Sequence, residues 1–516
     1  MLVTCAQMLE AERRAFASGV DQAALMERAG GALAAYLGQC HPRPGRLILY
    51  VGKGNNGGDA LVAGGHLARQ GWTVHWRLAG REENLKPLPQ RHLAMLKKLA
   101  PGGGLESPPG WDAVTDRGRS TVVIDGLLGI GVEGAPRGVV AELIRELLGL
   151  RSRATVVAVD VPSGFDADRG QAADPAVLAD ATVTFGFLKR GFVADGAERW
   201  LGRLVLVPLP EVAPPGDGDG RVRLVTADQV AAWLPRRDGG WHKGRAGRVA
   251  VVAGSVGSTG AAVLAATGAL RAGAGLVTVW TRPEAWAGVA AAAPVEVMVR
   301  PLERPDQWRE GRPDALVIGP GLGLDGWASE VVGSGWREAE VPVVVDADGL
   351  TLLAGDASVW QGGAGGSDGA TAGPRVLTPH PGELRRLLAA AGGGLDGELS
   401  RLDLADRLVA KMPSWVWLLK AGHSLVGGGG EGHWLAATGN AGMASGGMGD
   451  VLAGVTGGLL AQGVGPARAA AAAAWLNGCA AEQALASGRD GAESLTAAVV
   501  TQFLGTACDG ARAGWW

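Results

Sequence analysis

Short apolar runs rich in Val and Ile recur along the chain, and stretches rich in Ala and Leu separate several of them. Continuous apolar runs between helical stretches are typical of a parallel sheet that helices cover on both faces. In the first half, this pattern predicts helices at 60–70 and 139–148 and strands at 46–52, 72–80, 120–129, 154–164, 181–186 and 202–210. We therefore expect an α/β fold.

The second half repeats this pattern, with strands predicted at 248–255, 275–281, 314–321, 341–348, 374–380 and 415–422. Between the halves, residues 208–223 are rich in Pro, Gly and Asp, a composition typical of a linker. At 516 residues the chain is too long for one ordinary domain. We predict two domains, 1–214 and 222–516, each a largely parallel sheet with helices on both faces.

Charge and cysteine usage narrow the classes of partner. The net charge of −3, without a strongly basic block, predicts no binding to nucleic acid or to an anionic membrane surface. The cysteines are far apart and form no Cys-x-x-Cys pair, which argues against a disulfide framework or a zinc site and fits the cytoplasm. These cysteines are Cys5, Cys40, Cys479 and Cys508. We also expect a homo-oligomer that acts on small-molecule substrates.

Two segments resemble targeting or membrane signals in part. The N-terminus reaches Glu10 and Glu12 before an apolar core could form, so it does not read as a signal peptide. Residues 249–270 carry no charge and are long enough to span a bilayer, but their middle reads "AGSVGSTGAA". A loop of that composition would leave backbone groups unpaired in lipid, so we predict a strand, a loop and a helix there.

A glycine-rich stretch, "VGKGNNGGDALVAGGHLARQG" (51–71), follows the first predicted strand. Glycines between a strand end and a helix are a usual place for a phosphate, because backbone amides and the helix dipole face the anion. The spacing matches neither Gly-x-Gly-x-x-Gly nor the Walker A pattern. The alternative is a plain turn in which Asn55 and Asp59 act as caps.

Two later strand ends carry further oxygen ligands. "VIDGLLGIGVEGAPRG" (123–138) places Asp125 at one strand end, and "VAVDVPSGFDADRG" (157–170) places Asp160 and Ser163 at the next. Ligands of open α/β sheets bind at the carboxyl edge of the strands. Amide, carboxylate and hydroxyl oxygens without thiol or imidazole suit a hard monovalent or divalent cation.

The segments "GNNGGD", "DGLLGIG", "DVPSG" and "ADATVTFGFLKRG" together resemble the NAD(P)H-hydrate epimerase family over most of 1–210, which implies a Rossmann-like three-layer sandwich. The resemblance implies K⁺ bound by Asn56, Asp125 and Ser163. Ala60 departs from the family, in which Gly is commoner. The implied contacts to the hydrated dinucleotide are Asn55, Asn56, Gly57, Gly58, Asp59, Gly129, Ile130, Gly131, Val132, Glu133, Gly134, Ala135 and Asp160.

The chemistry implied for this half is inversion at C6 of a hydrated nicotinamide ring, which needs a group that moves a proton. Asp160 is the candidate acid/base. Its alternative role is positional, as a hydrogen-bond acceptor for a ribose hydroxyl.

In the second half, several predicted strands also end in candidate site residues. The loop 255–260 is rich in Gly and small side chains, which lets a planar ligand approach closely, although close helix–sheet packing would explain it equally. "VLTPHPGEL" (376–384) holds His380 between two prolines at a rigid strand exit. "LLKAGHSLV" (418–426) places Lys420 where it can face a phosphate.

The stretch "GNAGMASGGMGD" (439–450) precedes an apolar helical segment. The amides of 446–449 can point at one anion, and we expect the helix dipole to keep Asp450 ionised, as a base requires. The alternative is that Asp450 only caps the helix.

Together with "KGRAG", "GPGLG", "TPHPGE" and "LKAGH", this stretch resembles the ribokinase-like ADP-dependent NAD(P)H-hydrate dehydratases over about 225–505. Met448 departs from the usual Thr, and Asn477 stands where His is common. The resemblance implies Mg²⁺ with ADP. It implies hydrated-nucleotide contacts at Ala261, Gly323, His380 and Asp450, and ADP or AMP contacts at Lys420, Ala421, Gly422, His423, Ser424 and Gly449.

The two resemblances imply one task. The first half would interconvert the R and S forms of hydrated NADH or NADPH, and the second would dehydrate the S form at the expense of ADP, giving AMP and phosphate. Asp450 would assist phosphate transfer to the added hydroxyl. The alternative is a ribokinase-like kinase for a small alcohol such as a hydroxymethylpyrimidine or thiazole. A non-catalytic binding protein is a third class, against which the intact acidic residues argue.

Overall fold

The computed structural model describes residues 1–106, 120–131, 134–356, 373–392 and 399–515. The chain divides into two units, Met1–Val222 and Arg223–Trp515, and each is described by itself. Two predicted contact residues, Val132 and Glu133, lie outside the described residues. In the part of the chain that is described, no helix is both long enough and apolar enough to cross a membrane.

The first unit alternates strands and helices. Its strands are β1 (Leu2–Val3), β2 (Arg46–Val51), β3 (Thr73–Leu78), β4 (Thr121–Gly126), β5 (Thr155–Val159), β6 (Phe165–Asp166), β7 (Gln171–Ala172), β8 (Ala181–Phe185), β9 (Leu188–Lys189) and β10 (Arg203–Val207). Its helices are α1 (Cys5–Ala17), α2 (Gln22–Cys40), α3 (Asn55–Arg69), α4 (Pro87–Leu99), α5 (Gly138–Leu150) and α6 (Glu198–Leu201).

Six parallel strands form the main sheet of this unit, in the order β10-β8-β5-β4-β2-β3. Alternate residues of β2 face opposite sides: Leu47 and Leu49 join one buried apolar cluster, and Ile48 and Tyr50 join another. The strand is therefore buried on both faces, as its continuous apolar run predicted. The strand order reverses between β2 and β4, which is where open α/β sheets bind ligands.

The second unit is also a helix-covered sheet. Its strands are β11 (Val222–Leu224, at the division of the units), β12 (Arg248–Val252), β13 (Leu276–Thr281), β14 (Met298–Pro301), β15 (Ala315–Ile318), β16 (Val343–Val345), β17 (Arg375–Leu377), β18 (Trp415–Leu419), β19 (Ser424–Gly428) and β20 (His433–Ala436). Its helices are α7 (Ala227–Trp233), α8 (Thr259–Arg271), α9 (Trp286–Ala292), α10 (Gly326–Glu338), α11 (Asp348–Gly355), α12 (Pro381–Ala390), α13 (Arg401–Lys411), α14 (Met448–Ala461), α15 (Pro466–Ala486) and α16 (Ala497–Arg512).

The ten strands of this unit's sheet follow the order β11-β20-β19-β18-β17-β16-β15-β12-β13-β14. The pairs from β14 to β18 are parallel, whereas β18, β19 and β20 form antiparallel pairs. The order reverses between β12 and β15. The predicted α/β class, with a largely parallel sheet in each half, is confirmed, and every one of the twelve predicted strands overlaps a strand of these two sheets.

Helices α8 and α14 pack against each other so closely that side chains are excluded at their contact. A Cβ added at Gly454 would lie 1.9 Å from the carbonyl oxygen of Ala265, and one at Gly268 would lie 2.5 Å from that of Val451. Glycine thus permits a backbone-to-backbone approach that even alanine would prevent. Because α14 carries Asp450 in its first turn, this contact also positions a candidate site residue.

Replacing Gly454 by alanine tests this packing. The added methyl must displace backbone rather than a flexible side chain, so we expect Gly454→Ala to lower the free energy of unfolding of the second unit by about 1–3 kcal/mol. Gly505→Ala is the matched control: this exposed glycine of α16 has nothing within 4 Å of the new methyl, and alanine there should be neutral or stabilising. Equal unfolding midpoints for the two variants in urea would contradict the packing argument.

Candidate functional site

The glycine-rich stretch after β2 is the start of a helix, not a loop that ends near residue 60. Helix α3 begins at Asn55, with Gly54 as its N-cap residue. Two glycines in its first turns allow close packing: a Cβ at Gly57 would lie 2.2 Å from the carbonyl oxygen of Gly52, and one at Gly58 would lie 2.6 Å from Met26 Cε. Contact with the strand exit thus overrides the low helix propensity of Asn and Gly.

A cavity of about 350 Å³ lies at the strand reversal of the first sheet. It brings together seven of the predicted contact residues: Asn55, Asn56, Asp59, Gly129, Ile130, Gly131 and Asp160. Gly134 and Ala135 line a neighbouring cavity of about 750 Å³, which shares Gly129, Ile130 and Gly131 with the first. Gly57 and Gly58 line neither cavity and act through the packing of α3 instead.

The three predicted ion ligands meet around the backbone of residues 127 and 128. Ser163 Oγ donates to Asp125 Oδ1 at 2.6 Å and accepts from the amide of Leu128 at 2.9 Å. The backbone amide of Ser163 donates to Asp125 Oδ2 at 2.7 Å, and Asn56 Nδ2 donates to the carbonyl oxygen of Leu128 at 2.6 Å. Residues from three separate chain segments are therefore held beside one another.

Asp125 is a wholly buried carboxylate. Burial raises its pKa to about 6, although hydrogen bonds from Ser163 and Leu127 favour the ionised form. No Lys or Arg among the described residues forms an ion pair with it, and no group of three or more His, Cys, Asp or Glu side chains in the same residues could hold a metal. A cation at this point would therefore rely on neutral oxygens besides one carboxylate, which suits a monovalent ion.

Asp160 is held by a buried ion pair that the sequence analysis missed. It has a φ of +62°, an uncommon conformation for a residue with a side chain. Its Oδ1 accepts from Thr184 Oγ1 at 3.0 Å and pairs with the ammonium of Lys189, whose side chain has no exposed surface. Lys189 also donates to Thr184 Oγ1 and to the carbonyl oxygen of Phe185. In "FGFLKRG", the lysine that follows the apolar Phe187 and Leu188 was the available signal.

Two more carboxyl groups line the same cavity, Asp59 of α3 and Glu12 of α1. Burial, with the nearby charge of Asp160, raises the pKa of Glu12 to about 7. The same two causes and the charge of Glu12 raise the pKa of Asp59 well above its usual range. Glu12 lies far from every motif along the sequence, so nothing in the strand-end pattern could have pointed to it.

In the second unit, Asp450 lies in the first turn of α14, after Gly447 in the left-handed conformation (φ +87°). Burial, together with the charge of Asp346, raises the pKa of Asp450 to about 6. Desolvation and a neighbouring carboxylate therefore oppose the helix dipole, which favours the ionised form that a base requires. Above pH 6 the carboxylate is still mainly ionised.

Lys420 lies beside this helix start. Its Nζ is 2.6 Å from Asp346 Oδ1 and 3.9 Å from Glu383 Oε2. Burial alone would lower the pKa of Lys420, but these carboxylates raise it overall. A Cβ at Gly449 would be 3.3 Å from Lys420 Nζ, so the structure brings these two predicted nucleotide contacts together. Asp346, at the end of β16 in "VVVDADGL", was not among the predicted site residues.

The remaining predicted residues of this unit have different structural roles. His380 is the N-cap residue of α12. Its Nδ1 accepts a hydrogen bond from the amide of Gly382 at 2.9 Å, so this ring nitrogen already has a partner. The amide of Gly323 donates to Asp348 Oδ2 at 2.9 Å. Residues 421–423 form the turn between β18 and β19, and Ala261 is the third residue of α8.

The two residues that depart from the dehydratase pattern are neighbours. Asn477 of α15 is buried, and its Nδ2 lies 3.5 Å from the carbonyl oxygen of Met448, the first residue of α14. Both departures therefore affect the backbone at the start of α14, just before Asp450.

The buried ion pair of the first unit can be tested by a double-mutant cycle. Lys189→Met leaves Asp160 without its cation, so we expect the free energy of unfolding of this unit to fall by about 3–5 kcal/mol. Adding Asp160→Asn removes the stranded charge and should restore part of that loss. Urea denaturation of both single variants and the double variant measures the coupling. Additive losses would show that the two side chains do not stabilise each other.

Both halves of the chain match known protein families. Residues 249–500 match the family model described as NAD(P)H-hydrate dehydratase, and residues 22–191 match that of the YjeF-related protein N-terminus. The bifunctional NAD(P)H-hydrate repair enzyme of Moorella thermoacetica is 36% identical over 94% of this chain and 92% of its own. That of Coxiella burnetii is 35% identical over 93% of this chain and 94% of its own.

A solved structure from Bacillus subtilis, an ADP/ATP-dependent NAD(P)H-hydrate dehydratase co-crystallised with ATP and Mg²⁺, is 29% identical and covers 57% of this chain and 100% of its own, with a TM-score of 0.47. Because full-length relatives share more than a third of its residues across both units, the chain belongs to the family of bifunctional NAD(P)H-hydrate repair enzymes.

Proposed function

We propose that the chain repairs hydrated NADH and NADPH by two activities. Residues 1–214 would form the epimerase domain, and residues 222–516 the ADP-dependent dehydratase domain. The observation that carries the proposal is Asp450, a partly buried acid at the first turn of α14 with Lys420 and the glycine turn beside it. The names of the relatives, which state repair of NAD(P)H hydrate, support the same assignment.

For the dehydratase, the glycine turn and the start of α14 offer amides to the phosphate that is transferred. The carboxylate of Asp450 takes the proton of the hydroxyl on C6 as that oxygen bonds to the terminal phosphorus of ADP, and AMP leaves. The ring nitrogen then expels inorganic phosphate from C6, and loss of a proton from the neighbouring carbon restores the reduced nicotinamide. Lys420 neutralises charge on the transferring group.

The remaining contacts follow from this arrangement. The hydrated nucleotide would contact Ala261, Gly323, His380 and Asp450, and the adenine nucleotide would contact residues 420–424 and Gly449. Mg²⁺ is usually held by one or two carboxylates together with substrate phosphates. The charges of Asp346 and Asp348 both raise the pKa of Asp450, so these two carboxylates lie near it. They can supply the oxygen ligands that suit this ion. When bound, Mg²⁺ would offset the charge of the phosphates.

For the epimerase, Asp160 would exchange a proton at C6, with the substrate held by the first turn of α3 and by residues 129–135. Asn56, Asp125 and Ser163 would hold K⁺. The support is Asp125, a buried carboxylate that no lysine or arginine among the described residues neutralises. K⁺ would fix the loops around the strand reversal. The free cysteines accord with action in the cytoplasm, and a homo-oligomeric assembly stays a prediction.

The function is tested by giving the protein hydrated NADH with ADP and following the recovery of reduced-nicotinamide absorbance alongside the release of phosphate. Both should appear in equal amounts, with AMP as the other product. Asp450→Asn should slow this turnover by about 10²–10⁴-fold because the base is lost. Asp509→Asn, at an exposed acid of α16, is the control and should be silent. Accumulation of a phosphorylated small alcohol, without recovery of absorbance, would favour the kinase alternative instead.

The ion is tested by thermal unfolding in potassium chloride and in choline chloride at equal ionic strength. A ligand that binds only the folded state raises stability, so we expect a higher unfolding midpoint of the first unit in K⁺. Asp125→Asn should abolish the difference between the two salts. If the wild-type protein unfolds at the same temperature in both salts, the K⁺ site is not there.

A further inference from the structure

The cavity at the strand reversal of the first unit holds more acid than the proposed role of Asp160 uses. Glu12, Asp59 and Asp160 all line it, and they come from α1, from α3 and from the loop after β5. Lys53 and Lys86 line the same cavity but are exposed. Because three separate elements each contribute a carboxyl group, the cluster is not a by-product of one surface or of one helix start.

The cluster holds more carboxyl groups than buried ammonium groups. The ammonium of Lys189 donates hydrogen bonds to Asp160, Thr184 and a backbone carbonyl. Burial and the charge of Asp160 raise the pKa of Glu12 to about 7, against a smaller lowering by Lys189, and burial also raises the pKa of Asp59. Asp160 is paired with Lys189, and Glu12, whose pKa lies near neutral pH, is the carboxyl group that can give or take a proton.

Inversion at C6 calls for two proton transfers. The bond between C6 and its hydroxyl oxygen breaks as the lone pair of the ring nitrogen moves in, and the departing oxygen takes a proton and leaves as water. A water molecule then adds to C6 on the other face of the ring and gives up a proton. One group must act as an acid and a second as a base, since a single carboxyl cannot reach both faces at once.

We propose that Glu12 is the second acid/base group of the epimerase site, exchanging a proton with the C6 oxygen on one face of the ring while Asp160 serves the other. This inference rests on the proposed epimerase function. In one direction Glu12 gives its proton to the departing oxygen and Asp160 takes one from the incoming water. The reverse direction uses the opposite states, so one proton is shared by the pair and none is consumed.

The surroundings of Glu12 fit this role. Helix α1 is fixed at its start by a capping box in which Thr4 and Gln7 exchange hydrogen bonds, so Glu12 projects from a rigid element. Apolar side chains make up much of the remaining wall, among them Met8, Leu25 and Phe185. An apolar wall excludes bulk water, and nearby carboxylates stabilise the positive charge that develops on the ring when the hydroxyl departs.

Glu12→Gln tests the proposal, because it keeps the shape of the side chain and removes its proton transfer. We expect the turnover number for epimerisation to fall about 10²-fold, with a smaller change in KM. Glu10→Gln is the matched control on the same helix, since the Glu10 side chain is 44% exposed and, among the described residues, forms ion pairs with arginines of its own helix. Dehydration of the S form with ADP serves as the folding and activity control for both variants.

The pH profile separates a chemical role from a structural one. In the wild-type protein, the epimerisation rate should fall as pH rises through about 7, because the shared proton is then lost from Glu12. The groups that face Glu12 are Asp59, Asp160, Lys189, Lys53 and Lys86. In Glu12→Gln this fall should disappear, and in Glu12→Asp it should return together with part of the rate.

Two outcomes would overturn the inference: wild-type epimerisation by Glu12→Gln, or a slowed variant whose pH profile keeps the fall near 7. Absence of epimerisation by the wild-type protein would instead overturn the proposed function on which the inference rests.

Discussion

In both candidate sites, carboxyl groups outnumber the ammonium groups that form ion pairs with them. Lys189 faces Asp160 in the first unit, with Glu12 and Asp59 left over. Lys420 faces Asp346 in the second, with Asp450 left over. A buried carboxylate without a partner is costly, so the surplus groups hold protons more tightly or await a cation. Burial, together with this imbalance of charge, raises the pKa values in both sites.

This imbalance would allow the proposed acid/base chemistry to use carboxyl groups rather than histidine. A carboxyl group in water is ionised well below neutral pH and is a poor proton donor at pH 7. Burial near like charge raises the pKa of Glu12 to about 7 and that of Asp450 to about 6. Each sheet reverses its strand order, and the carboxyl groups of each site come from separate helices and strand ends.

The sequence predicted the parallel strands because their apolar runs are continuous, as in "RLILYV" of β2. It did not predict β19, whose "SLVGG" lacks such a run and whose pairing is set by the antiparallel neighbours. The start of α3 at Asn55 was missed because contact between Gly57 and the backbone of Gly52, not helix propensity, decides it. Glu12 and Lys189 were missed because only the folded chain brings them to Asp160.

The close contact of α8 with α14 has a consequence for how the second site tolerates change. The two helices pack against each other, and their first turns carry Ala261 and Asp450, both proposed contacts of the hydrated nucleotide. With backbone against backbone at Gly454, there is no compressible layer of side chains between them. A substitution that moves the two helices apart would therefore increase the distance between the base and its substrate. Even when it lies far from the reacting atoms, such a substitution should lower the reaction rate before it unfolds the unit.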